Sequence, residues 1–361
     1  MKGFRKFTLR MIAGANVATI AVMLMVGWSG LVNPARHAVL ANAGLAFPAF
    51  LLVNFAFLVL WVIIKPKGAL IPLLGYLLCY QPVRAYIPFN VQREAPEGSV
   101  KVLSYNVWMF SGWEDRSRPN PIARYLLRQN ADIVCLQEAT PEQEVMDNLR
   151  RELGRVYQYS DTSVMESGGD MMLVYSKYPI KGHERVPYAS VGNHSAAFKI
   201  DVDGQEVIVI NNHLESIGFT DEDKKQFKSL VKGKLEGDTA QQESRRIIDK
   251  LADASAIRAP QADAVARYIA RNAGKSIICV GDFNDGPLSY ARRKVATDLT
   301  DCYIESGNGP GISYHKSGFY VRIDNILCSP DWQPYGCKVD NSIKSSDHYP
   351  IYCWLKKRPK P

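Results

Sequence analysis

Acidic side chains are missing from the first quarter of this 361-residue chain. Positions 1–90 hold no Asp or Glu but eight basic residues: Lys2, Arg5, Lys6, Arg10, Arg36, Lys65, Lys67 and Arg84. The whole chain has 44 Lys+Arg and 36 Asp+Glu, so positions 91–361 hold 36 of each and sum to zero. The net charge of +8 is therefore not the footprint of a basic domain that coats nucleic acid. The seven cysteines include no C-x-x-C pair and no metal spacing. Cys135, Cys279 and Cys328 sit in or beside apolar runs, as small buried hydrophobes do. Pairing among Cys302, Cys337 and Cys353 is open if the domain is exported. Internal repeats and low-complexity tracts are absent, which excludes solenoid and fibrous classes.

What the first quarter does have is long uncharged runs. Residues 11–35 and 38–64 carry no charged side chain, and each exceeds the roughly 20 residues that a membrane-spanning helix needs. A third stretch is interrupted by Pro72 and reaches span length only if extended to Phe89, with Arg84 snorkelling to an interface. The expected spans are about 11–33, 43–64 and 68–89, within an anchor covering 1–90. A cleaved signal ending near Ala41-Asn42-Ala43 fits less well, because its apolar core would far exceed roughly 7–15 residues. Basic residues precede the first span and follow the second, which puts both of those ends in the cytoplasm. If the third stretch crosses, the remaining chain lies on the outer (periplasmic or extracellular) face; if not, it is cytoplasmic. The outer side is the expectation.

After a polar linker, 91–98, the pattern changes. Short β-rich runs recur at Val100–Tyr105, Asp132–Leu136, Met171–Tyr175, Ala196–Ile200, Glu206–Asn211, Ser276–Val280, Ile323–Cys328 and Ile351–Leu355. Helical patterns lie at Pro121–Gln129, Pro141–Leu153 and Gln241–Ala273, the last expected to break near Pro260. Thr220–Ser244 reads as a polar surface insertion. A mixed α/β domain over 99–356, followed by a basic tail at 357–361, is expected.

Polar groups gather at the strand ends. They occur as SYNVW (104–108), LQE (136–138), NNHLES (211–216), GDFND (281–285), RIDNIL (322–327) and SDHYP (346–350). Any one of these is explicable as turn or cap chemistry. Six of them set against apolar strands in one domain are not.

This ordered set resembles the endonuclease/exonuclease/phosphatase (DNase I-like) superfamily of metal-dependent phosphoesterases, across essentially all of 99–356. Abasic-site endonucleases, inositol polyphosphate 5-phosphatases and neutral sphingomyelinases belong to it. The resemblance implies a four-layer α/β sandwich, two mixed sheets face to face with helices outside, here preceded by transmembrane helices. Glu138 and Asn106 offer hard oxygens suited to Mg²⁺, with Mn²⁺ as an alternative. The resemblance implies that Asp282 holds and deprotonates the attacking water, and that Asn284 donates to the developing charge on phosphorus. It further implies that His348 meets a phosphate oxygen with Asp324 fixing its tautomer, that His213 is a second phosphate-facing donor, and that Asp347 helps position metal or water. One position departs from the pattern: Trp108 stands where some members carry a second carboxylate. Arg258 is a weaker candidate for contact with substrate phosphate, its simpler reading being a solvent-exposed helix position. Asn193, beside His194, either lines the pocket or sits in a plain turn.

The resulting expectation is a membrane-anchored Mg²⁺-dependent phosphoesterase acting on a lipid head group or another small phosphoester. Its contacts are that substrate and the lipid bilayer, and no protein partner is inferable. A tethered nuclease acting on DNA or RNA is the alternative, weakened by the neutral charge of 91–361. A catalytically inactive tethered binding module is the reading from another class.

Overall fold

The two-residue repeat of apolar side chains decides the layering. The computed structural model describes residues 2–165, 169–231, 234, 237–316 and 318–359. Its strands are β1 (Val100–Asn106), β2 (Ile133–Ala139), β3 (Tyr159–Val164), β4 (Met171–Ser176), β5 (Ile180–Arg185) and β6 (Ser195–Val202), then β7 (Gln205–His213), β8 (Ser276–Asp282), β9 (Thr300–Asp301), β10 (Asp324–Cys328), β11 (Trp332–Val339) and β12 (Ile351–Lys357). They form two six-stranded mixed sheets, ordered β11-β12-β1-β2-β4-β3 and β5-β6-β7-β8-β10-β9. Val102, Cys135 and Val174 of the first sheet meet Phe198, Val209, Ile278 and Ile326 of the second in a shared core. Their chain neighbours Leu103, Val134 and Leu173 point outward. Ile208, Ile210, Cys279 and Leu327 do the same on the other sheet. Successive side chains of a strand face opposite ways, so each sheet must be covered twice.

The helices supply the outer layers. Following the N-terminal α1 (Lys2–Gly27), α2 (Pro34–Ala41), α3 (Phe47–Ile64), α4 (Leu70–Leu78) and α5 (Tyr80–Tyr86) come α6 (Pro121–Gln129) and α7 (Gln143–Leu153), which cover the first sheet. After α8 (Asp221–Val231), α9 (Gly237–Arg271) and α10 (Tyr290–Val295) cover the second, and α11 (Cys302–Ser306) is short. The bounds of α6 are those its sequence predicts, because Asn120 caps the amides of Ile122 and Ala123 and Pro121 fills the first turn. The break expected near Pro260 does not occur, and α9 runs through it. Ala259, Ala262, Val265 and Ile269 are buried along this helix, and their packing outweighs the roughly 3 kcal/mol penalty of an internal proline. The polar stretch 220–244 is largely helical, in α8 and the start of α9, and residues 232, 233, 235 and 236 lie outside the described residues. All seven cysteines are buried and unpaired, so no disulfide joins Cys302, Cys337 and Cys353.

Two N-terminal segments, Gly3–Leu31 and Pro34–Ile64, are helical, long and apolar enough to cross a membrane. The third hydrophobic stretch forms two short helices, α4 and α5, which part at Cys79. Pro82 falls in the first turn of α5, where its missing N–H leaves no helix bond unmade, as suits a helix that starts afresh after Cys79. A buried polar knot ties this bundle. Asn16 donates to Asn54 at 3.0 Å, Trp61 donates to Asn16 at 3.3 Å, and Asn54 donates to the Pro72 carbonyl at 3.1 Å. Around it the outer faces carry exposed Met25, Leu52, Ile63 and Leu77.

The bundle meets the sandwich at one end only. Gly30 approaches so closely that a Cβ there would lie 2.3 Å from the Leu288 carbonyl oxygen. Asn42 donates to the Leu251 carbonyl and accepts from Ser255, and Arg322 donates to the Ala85 carbonyl. Thus the end of α1, the start of α3 and the end of α5 all face the sandwich. The start of α1, 26 residues away, lies at the far end, about 39 Å distant, and Lys65/Lys67 follow the 18 residues of α3 at that end, about 27 Å distant.

Candidate active site

Strand register brings the polar motifs together. Asp282, the last residue of β8, stands opposite His213 across the parallel β7 pair and opposite Asp324 across the antiparallel β10 pair. Gly281 permits this: its φ is +124°, and a Cβ would meet the Asn212 carbonyl oxygen at 2.0 Å. In the other sheet Asn106 pairs with Gln137. Gln137 itself turns inward and donates across the sheets to Asn211 at 2.6 Å, which leaves Glu138 to face the cleft. Glu138 and Asn284 both adopt left-handed backbone, φ +51° and +50°, a conformation uncommon for residues with a Cβ and frequent at functional sites.

The side chains converge tightly. Asn106 Nδ2 donates to Glu138 Oε1 at 2.9 Å and to Asp282 Oδ2 at 3.1 Å. Its Oδ1 accepts from the Trp108 amide at 3.1 Å. Asn106 thus bridges two carboxylates with its nitrogen, while its oxygen keeps a second lone pair beside the Trp108 N–H bond. Trp108 opens a run of three left-handed residues, Trp108 to Phe110, and lies on the cleft rim with Lys316 Nζ 4.4 Å from its ring centroid.

Two histidine–carboxylate dyads flank Asp282. His348 Nε2 lies 3.5 Å from Asp282 Oδ2, and its Nδ1 is 2.8 Å from Asp324 Oδ2. His213 Nε2 lies 3.9 Å from Asp282 Oδ2 and 3.5 Å from Glu138 Oε1, with Nδ1 2.9 Å from Asp170 Oδ2. Burial disfavours charge on both rings, but the surrounding carboxylates outweigh it and hold each imidazolium up to about 10. Burial raises Asp282 to about 6, with Asp324 adding to the rise while His348 and His213 oppose it. Asp282 Oδ1 accepts the Asn284 amide at 2.8 Å.

Of the other expected residues, Asp347 lines the cleft. Asn284 gives one amide hydrogen to the Leu214 carbonyl at 2.9 Å and retains a second for the cleft. Asn193 donates to the same carbonyl at 2.8 Å, so it braces the loop after β7. Arg258 is buried rather than solvent-exposed. Its guanidinium donates to the Glu215 carbonyl and Ser255 and pairs with Asp285 at 3.4 Å, and none of these contacts points at the Asp282 cleft. Sequence reading missed Asp170, which is buried beneath His213 and also accepts the Glu138 amide at 3.0 Å. No strand-end motif marks it; the only signal was its place one residue before the apolar run of β4. Lys224 and Tyr314 also line the cleft and went unnoticed.

A divalent cation suits this donor set. Among the described residues, Glu138 Oε1 has the Asn106 amide and the more distant His213 ring beside it, and Asp347 supplies a second hard oxygen in the same cleft. Asp282, Asp324 and His348 also cluster, with one ligand atom from each within 4.8 Å of the others. His348 is bonded to Asp324 through Nδ1, and the surrounding carboxylates favour its protonated form.

Residues 103–348 match the model of the Endonuclease/Exonuclease/phosphatase family, more than half of the chain. This chain belongs to that family. The first and last motifs thus fall within or at the edge of the matched span, and residues 9–86 separately match a domain of unknown function. Among curated proteins, none matches the chain. Solved structures share the family fold. They include humanized TDP2 of D. rerio (TM-score 0.51, 18% identity, 72% of this chain and 99% of that one). A family protein from Bacteroides thetaiotaomicron gives 0.50 at 18% identity, covering 72% and 98%. SmcL gives 0.50 at 17%, covering 72% and 100%.

Proposed function

We propose that this family member is a membrane-anchored, Mg²⁺-dependent phosphoester hydrolase that works by in-line attack of water on phosphorus. One observation carries the reading: Asp282 lies between two histidine rings, His213 and His348, on a cleft that also holds Glu138. Phosphoester hydrolysis needs a base, an aligned water and positive groups where charge develops. Glu138 and Asp347 would hold the cation, which when bound neutralises charge on the phosphoryl group and activates water. Asp282 accepts the water proton. Its value of about 6 makes it a stronger base than an ordinary carboxylate while it remains ionised near neutrality. His348 and His213 donate to phosphoryl oxygens, kept cationic and oriented by Asp324 and Asp170. The free amide hydrogen of Asn284 adds a neutral donor. Asn106 fixes the spacing of Glu138 and Asp282.

The anchor is part of the proposal. The catalytic domain meets one end of the helical bundle, and the basic N-terminus and Lys65/Lys67 lie at the other. Such polarity supports an odd number of crossings, α4 and α5 together making the third, and an outward-facing catalytic domain under the positive-inside bias.

The test uses the full chain in detergent with bis-p-nitrophenyl phosphate. Turnover should require Mg²⁺ or Mn²⁺, stop with EDTA, and fall at least about 100-fold in Asp282→Asn. Undiminished turnover in that variant removes the assigned base. Hydrolysis confined to DNA and lost steeply with salt would move the protein to the nucleases.

A further inference from the structure

The catalytic cleft does not end at its polar groups. It continues past Ile217, Phe319, Val321 and Ile323 into a cavity of about 500 Å³ that shares these residues and Asn284 with it. One wall of this cavity comes from the N-terminal bundle: Leu45, Pro48 and Tyr86. The other comes from the catalytic domain: Leu251, Leu288 and Tyr320. Phe319, at the junction, stacks on Phe227 with ring centroids 3.8 Å apart and on Phe219 at 5.2 Å, which makes the passage aromatic. The charged groups at its edge, Arg258 and Asp285, are paired with each other, so the cavity offers no net charge to a ligand. Beyond Pro48 the outer face of α3 continues with exposed Leu52 and Phe55. An apolar path therefore runs from the side of a bundle helix to within the catalytic cleft.

We propose that this cavity holds the hydrocarbon tail of the substrate, and that the substrate is a membrane lipid whose phosphoester is drawn to Asp282 while its tail stays between anchor and catalytic domain. The proposal rests on the phosphoesterase reading and adds the substrate class to it. A soluble phosphoester would leave these side chains facing water, whereas a tail removes that apolar surface from it. The volume is that of a small-ligand site and too small for a partner helix. The anchor then does more than tether, because Leu45, Pro48 and Tyr86 form part of the substrate site.

Gly286 provides the plug. A Cβ there would meet only Val321 Cγ2, at 3.7 Å, so the indole of Gly286→Trp has room to project into the cavity. Leu45→Trp, at an exposed position, is an independent second plug. Full-length protein is reconstituted in phosphatidylglycerol vesicles that contain phosphatidylglycerol with a diazirine in its acyl chain, then irradiated and mapped by peptide mass spectrometry. Label is expected on Leu251 or Tyr320, which belong to the catalytic domain, and should drop about tenfold or more in both plugged variants. In Gly286→Trp, hydrolysis of bis-p-nitrophenyl phosphate should stay within about twofold of wild type, and Tm should be unchanged in both variants. Label restricted to α1, α3 and α4, or label on Leu251 and Tyr320 that survives both plugs, overturns the tail site. Loss of the soluble turnover in wild type would instead overturn the phosphoesterase reading, and the labelling still decides the cavity.

Discussion

Asp324→Asn separates the charge of the His348 dyad from its shape. Two unit charges 2.8 Å apart attract by about 6 kcal/mol at an effective dielectric of roughly 20. Burial of both groups offsets much of this, leaving about 2–3 kcal/mol between the charged and neutral ring, or roughly two pKa units. His348 is held at about 10 in the native protein, so the variant should titrate near 8. The oxygen of the introduced amide can still accept from Nδ1–H, but its nitrogen takes the place of Asp324 Oδ1, a buried atom with no hydrogen-bond partner among the described residues. The misfit should cost about 1–3 kcal/mol of stability. At pH 7 the ring remains mostly cationic, and kcat for a soluble phosphodiester should fall about tenfold from lost orientation. At pH 9 the native ring keeps its proton and the variant ring has lost most of it, so the deficit should widen by roughly a further tenfold. The assay is kcat at saturating Mg²⁺ from pH 7 to 9, with Tm measured alongside. A wild-type-to-variant ratio that stays flat across that interval refutes the claim that Asp324 keeps His348 charged.

Three further outcomes follow from the same contacts. Asp170→Asn should lower kcat about 10–100-fold and shift the His213 ring nitrogens in ¹⁵N NMR toward the neutral form, because Asp170 is the strongest of the carboxylates that hold the ring cationic. Glu138→Gln should raise the Mg²⁺ concentration for half-maximal activity at least about tenfold, read from a metal titration of the EDTA-stripped protein. Asp301→Asn should destabilise by about 3–5 kcal/mol, since it leaves the half-buried Arg292 without its partner. Burial opposes ionisation of Asp301, but Arg292 and Arg322 hold its carboxyl below the usual range. A depressed folded value gives stability that is full above the unfolded value near 4 and lost as pH falls through the folded one. The Tm gap between the two proteins should therefore close in acid; a gap independent of pH contradicts the pairing.

The eight strand patterns read from the sequence all exist, because each is an apolar run that must be buried. The four strands it left out, β3, β5, β9 and β11, are the edge strands: β9 has only two residues, and the others are of mixed composition, YSDTSV, IKGHER and WQPYGCKV. Only one face of each meets the core, so their pattern resembles a loop. Pro260 misled for the opposite reason. A local penalty was legible, and the packing that overrides it was not.

The sequence alone determined the two-part character of the protein, the layered α/β class and the polar residues at the strand ends, since charge depletion, apolar periodicity and motif order are properties of the chain itself. The tertiary structure decided what each of those residues faces. Register set Asp282 between His213 and Asp324, packing drew Asp170 beneath His213, and burial turned Arg258 from a surface residue into a brace. The docking of the bundle also made Leu45 and Leu251 neighbours across one cavity, though they are far apart in the chain. Distances between segments remote in sequence depend on how whole layers pack, and no local pattern encodes them.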